Sequence, residues 1–73
     1  MMDAQIVDLF FARSEQAIQE TDRKYGHFCF KIAWSILSNR EDAEESVSDT
    51  YLAAWNCIPP TRPNQLGAFL AKI

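Results

Sequence analysis

Apolar residues recur along this chain at three- and four-residue steps, the spacing that lines one face of an α-helix. The longest such pattern covers residues 15–37, where Ile18, Tyr25, Cys29, Ile32 and Ile36 form one stripe and Phe28, Ala33 and Leu37 widen it. A stripe this broad predicts a helix in contact with neighbours on two sides, with Gly26 marking a bend or a close helix crossing. Its opposite face carries Arg23, Lys24, His27, Lys31 and Trp34. Upstream, Ile6, Val7, Leu9, Phe10 and Phe11 predict a helix over residues 3–12, with Asp3 suited to its N-cap and Ser14 to the cap of the next helix. Downstream, Asn39 precedes a third helix over residues 40–57. Its stripe is Ala43, Val47, Thr50, Tyr51, Ala54 and Ile58, with Trp55 at the edge, and Pro59 and Pro60 stop it. Leu66, Phe69, Leu70 and Ile73 fall at i, i+3, i+4 and i+7 and predict a helix over residues 64–73 that is unfinished where the sequence stops. The chain therefore reads as one domain over residues 1–73, cut inside its fourth helix. The expected core is Ile18, Tyr25, Cys29, Ile32, Ile36, Ala43, Val47, Tyr51, Ala54 and Ile58.

Composition sharpens this picture. Two glycines, three prolines gathered in residues 59–63 and no hairpin dipeptide leave little room for strands. The expected fold is all-α, a compact bundle of three to four helices. A chain of 73 residues is too short for a barrel or two-domain enzyme, and 48% hydrophobic against 23% charged residues is too apolar for a disordered one. A net charge of −3 argues against unaided binding of nucleic acid by phosphate neutralisation. Cys29 and Cys57 lack metal-site spacing and read as reduced core or boundary residues. The start has no basic segment, and the longest apolar run, residues 51–55, has five residues. That spans no membrane and leads nothing into a secretory path, so a cytoplasmic location is expected. A core this small leans on a partner or a further segment, and self-association of the fragment through apolar surface left open is expected on the same ground.

The inventory of reactive groups is thin, and no enzyme is expected. His27 is the single histidine, no nucleophile motif accompanies it, and no phosphate-binding glycine loop or metal motif is present. The informative feature is the acidic third helix. Glu41, Asp42, Glu44 and Glu45 fill its first turns, where carboxylates complement the positive end of the helix dipole. Asp49 lies beyond that reach. It stacks on Glu45 at i, i+4, opposite Val47 and Ala54, with Ser48 and apolar Leu52 alongside. The pattern suits either a solvated face or a docking surface for a basic partner. A straight helix does not wrap oxygen ligands around a metal ion, so no metal or cofactor is implied.

Residues 39–56 (NREDAEESVSDTYLAAWN) resemble region 2 of the extracytoplasmic-function (ECF) sigma factors of bacterial RNA polymerase, which show an acidic D-A-E run, then V-Q-D/E-T-F/Y-L, then A-W. Residues 24–26 (KYG) and 32–37 (IAWSIL) are similar to the preceding helix of that family, and residues 68–73 (AFLAKI) to the start of its promoter-reading helix. The resemblance implies a compact helical domain whose acidic helix docks on the clamp coiled coil of the polymerase β′ subunit. Glu45, Ser48 and Asp49 match docking positions, with Glu41, Asp42 and Leu52 on the same surface. The family usually has Gln where Ser48 stands, and the hydroxyl lacks the reach and the paired donor and acceptor of a carboxamide. The resemblance also implies recognition and melting of the −10 promoter element, as part of a longer protein, through residues 61–64 and the last helix, with Arg62, Asn64 and Lys72 as DNA contacts. Anti-sigma proteins commonly cover such faces. The competing expectation is a small helical protein-interaction domain with no part in transcription.

Overall fold

A computed structural model describes residues 1–72. They form four helices, α1 (Asp3–Phe11), α2 (Gln16–Leu37), α3 (Arg40–Cys57) and α4 (Leu66–Lys72), and no strand occurs among the described residues. The all-α bundle expected from the sequence is the fold observed. α2 is the spine. Its 22 residues span about 33 Å at 1.5 Å per residue, close to the 34 Å long axis of the molecule. α3 folds back along it after a reversal at Ser38, which takes the left-handed conformation (φ 52°) while its N–H donates to the carbonyl of Trp34 at 2.8 Å.

α1 supplies the largest buried side chains. Ile6, Val7 and Phe10 are essentially inaccessible and meet Ala17 and Cys29 of α2, Ala54 of α3, Ile58, and Leu66 and Leu70 of α4. Burying such a side chain contributes about 1.5–3 kcal/mol. The core is thus centred on α1, which the expected core omitted. Of the residues expected inside, Cys29, Ala43, Ala54 and Ile58 are buried, and Ile18, Tyr25, Ile32, Val47 and Tyr51 pack part-buried. Ile36 is 74% exposed, and Phe28 and Leu37 are also exposed. Periodicity alone does not show which part of a stripe other helices cover. Cys57 is exposed rather than at the core, while Cys29 is buried; both are free thiols.

Two capping expectations change. The N-cap of α1 is Met2, whose N–H donates to Gln5 Oε1 at 2.9 Å. Asp3 is the first helical residue, and its carboxylate turns inward to other helices. The N-cap of α2 is Glu15 and not Ser14, which precedes it and whose Oγ accepts from the N–H of Gln16 at 3.3 Å. The predicted close crossing at Gly26 is present, and α2 runs through it unbroken. A Cβ there would stand 2.6 Å from Asp22 Oδ1 and 3.5 Å from Tyr51 Oη, and the Tyr51 hydroxyl donates to Asp22 Oδ1 across the α2–α3 contact at 2.9 Å. Gly67 does the same for α4, where a Cβ would meet the Tyr25 ring at 2.9 Å. Ile73, expected to close the apolar repeat of the last helix, lies outside the described residues.

Candidate functional site

The acidic face is built by a short sequence of local events. Asn39 is extended, and its Oδ1 accepts from the N–H of Asp42 at 3.0 Å, capping α3. The inward side of α3 is lined largely by small or part-buried residues, Ala43, Val47, Thr50 and Ala54 among them, so the helix lies close against α2 and turns the rest of its surface to solvent. Glu41, Asp42, Glu45, Ser48, Asp49 and Leu52 are all exposed. Their three- and four-residue spacing puts them on one side. Of the carboxylates in the first turns, Glu44 pairs with Arg40 at 3.2 Å. Among the described residues no ion pair engages Glu41, Asp42, Glu45 or Asp49. Leu52 is 60% exposed beside them.

Next to this face runs an open groove of about 560 Å³, lined by Glu15, Ile18, Gln19, Ser48, Tyr51, Leu52 and Trp55. Two of the expected site residues, Ser48 and Leu52, therefore form one wall of an apolar trough between the start of α2 and the second half of α3. Burial, followed by the bond to Asp22, pushes the Tyr51 phenol well above its ordinary value, so the hydroxyl stays a donor there. Arg13 fixes the far end. Its Nη1 donates to the carbonyls of Trp55 and Ile58 at 2.8 and 2.7 Å, and its guanidinium lies 3.8 Å from the centroid of the Trp55 ring. Arg13 adopts φ 55°, a conformation that costs a non-glycine residue about 1 kcal/mol or more. Its bonds to the last carbonyls of α3 offset that cost. The sequence reading missed Arg13, since an arginine between two helices carries no pattern that points to a cap 42 residues away.

The other expected site divides. Asn64 and Lys72 line one hollow of about 400 Å³ with Pro63, Gln65, Ala68 and Phe69. Arg62 does not join them. Its Nη1 pairs with Asp8 at 3.0 Å and its guanidinium stacks 4.3 Å from the centroid of Phe11, which ties the proline loop to α1. α4 is held at its start by Asp3. The Asp3 carboxylate accepts from the Tyr25 hydroxyl at 2.7 Å, from Lys24 Nζ at 2.7 Å and, at 3.4 Å, from the N–H of Leu66. The hydrogen bond from Lys24 holds the Asp3 carboxyl below its ordinary range against the opposing effect of burial. Burial raises the Tyr25 phenol.

Comparison with known families decides what kind of domain this is: the model of sigma-70 region 2 matches residues 22–73, most of the chain. The chain belongs to the sigma-70 region 2 family. Its role is therefore of the sigma-factor type, in transcription, and the family is not one of enzymes. The expectation of an interaction domain with no part in transcription gives way. No curated protein and no solved structure matches the chain. All the expected site residues of this region 2 domain lie within the matched stretch, from Glu41 to Lys72, whereas α1 lies before it. Among the described residues no three His, Cys, Asp or Glu side chains come together as a metal site, and no helix is long and apolar enough to cross a membrane.

Proposed function

We propose that this region 2 domain is of the ECF type and that the outer face of α3 docks on the clamp coiled coil of the RNA polymerase β′ subunit. The observation that carries the reading is a set of exposed carboxylates without ion-pair partners, Glu41, Asp42, Glu45 and Asp49, bordered by exposed Leu52 and the apolar groove. Carboxylates of one sign would steer a basic coiled coil to the surface, and Leu52 with the groove would supply apolar area on contact. Ser48 on the groove wall would contribute a single hydroxyl to the contact. Docking would set residues 61–64 and α4 against the −10 promoter element, with Asn64 and Lys72 facing the strand from one hollow. Arg62 contributes by holding the loop in place. An anti-sigma protein would compete for the same face, and the working location is the cytoplasm, where the polymerase is.

Binding of the chain to purified β′ clamp coiled coil tests the proposal. Salt-sensitive binding that is abolished in the folded Glu45→Lys/Asp49→Lys variant is the expected result. Equal binding by wild type and variant would move the contact off this face.

A further inference from the structure

The loop between α3 and α4 has little of its own to fix it. Pro59, Pro60 and Pro63 restrict the backbone but donate no hydrogen bond. Over residues 59–65, and among the described residues, the one backbone N–H donated to a carbonyl is that of Thr61, to Cys57 at 3.0 Å. What holds the loop comes from α1 and from Arg13 just beyond it. Arg13 donates to the carbonyl of Ile58 at 2.7 Å, Asp8 pairs with Arg62 at 3.0 Å, and Asp3 accepts from the N–H of Leu66 at 3.4 Å. The Arg62 guanidinium also lies 4.3 Å from the centroid of the Phe11 ring. In chain order, residues 3, 8 and 13 meet residues 66, 62 and 58, so the loop runs antiparallel to α1 and is tied at both ends and in its middle. Asp3, Asp8, Phe11 and Arg13 all precede the stretch matched to region 2, which starts at residue 22.

We propose that α1 is a splint for this loop, with Asp8 and Phe11 as positioning residues that act through Arg62. The end ties fix where the loop begins and finishes, and its middle depends on Arg62. Asp8 and Arg62 are each more than half exposed, and a solvated ion pair alone is weak. Here the carboxylate and the ring hold one guanidinium together, since a planar cation can pair at its edge while it stacks on an aromatic face. Asn64, which follows Arg62 and Pro63, is thereby kept in the hollow it shares with Lys72. A loop already set in place gives up less conformational freedom when it meets a partner. That the partner is the promoter strand rests on the function proposed above; the splint itself does not.

The test is backbone NMR relaxation on the full chain, which reports the order of each amide. In wild type, Arg62, Asn64 and Gln65 should approach the rigid-backbone order parameter of about 0.85. In Asp8→Ala/Phe11→Leu, which leaves the loop sequence untouched, they should fall below about 0.6 while α2 and α3 keep their values. Asp8→Glu/Phe11→Tyr retains the carboxylate and the ring and should keep wild-type order. Arg62→Gln leaves α1 intact, so it should loosen the same amides even if the first variant does not fold. Mobile loop amides in wild type, order retained in Arg62→Gln, or an equal loss of order in α2 and α3 would overturn the proposal. These values are read with neither DNA nor polymerase present, so failure here is distinct from failure of the docking and promoter reading.

Discussion

α1 and α3 divide the work of this domain between them. α1 has nine residues and buries Ile6, Val7 and Phe10 almost completely. α3 has eighteen and fully buries only Ala43 and Ala54 within its length. The shorter helix holds the bundle together, and the longer one displays charge. The family match begins at residue 22, after α1. The buried side chains of α1 therefore lie outside the matched stretch, while the residues they pack with, Cys29, Ala54, Ile58, Leu66 and Leu70, lie within it. α3 can carry a like-charged surface because its own seat depends on small side chains against α2 and on Arg13 at its end, not on the groups it shows to solvent.

The contrast is broken most severely at Phe10. Phe10→Ala should cost about 3–5 kcal/mol, the range for emptying a buried aromatic site, and in a domain this small that leaves little folded protein at ambient temperature. Thermal unfolding followed by circular dichroism measures it. Arg13→Ala comes next, at about 1–2 kcal/mol, from charge-assisted hydrogen bonds in a partly solvated setting. Its signature is specific: Trp55 loses the guanidinium over its ring, and its emission should shift to the red while the fold persists. An unchanged spectrum would show that Arg13 does not hold the end of α3.

How far this division could be seen in advance depends on the kind of contact. α3 was legible because capping, periodicity and charge act within one helix: Asn39 caps where expected, and Leu52 is exposed where expected. The importance of α1 was not legible, because Ile6, Val7 and Phe10 form a short apolar run whose partners, Leu66 and Leu70, lie some sixty residues away. Asp3 shows the same limit. Its residue type suits an N-cap, but a lysine and a tyrosine from α2 and a backbone N–H at the start of α4 draw its carboxylate inward. The tie of Arg62 to α1 was equally hidden, because neither Asp8 nor Phe11 is near it in sequence.

Asp3 sharpens the comparison through pH. Its folded carboxyl lies below the ordinary value of 3.8. The linked stability is therefore fully present above that value and lost as pH falls through the folded one. Asp3→Asn removes the ion pair with Lys24 and should lower stability modestly near neutrality. The gap between wild type and variant should narrow as pH falls below 3.8, as urea unfolding at neutral pH and across the acid range would show. A gap that stayed constant would mean that hydrogen bonding to Tyr25 and Leu66, not charge, makes the latch.

The smallest effect on stability is expected on the acidic face, and its sign separates the two helices most cleanly. In wild type, Glu45 and Asp49 are like charges at i, i+4, an arrangement that mildly destabilises a helix. Asp49→Lys converts them to a Glu–Lys pair in the favoured orientation, worth about 0.2–0.5 kcal/mol on an exposed surface. The melting temperature should therefore rise slightly. Docking on the clamp coiled coil should weaken in the same variant, since a basic partner now meets a cation. If Asp49 were only part of a solvated face, the gain in stability would come with no loss of binding. If it is part of the docking surface, stability and affinity move in opposite directions, because the like-charge pair is then kept for the partner and at the expense of the helix.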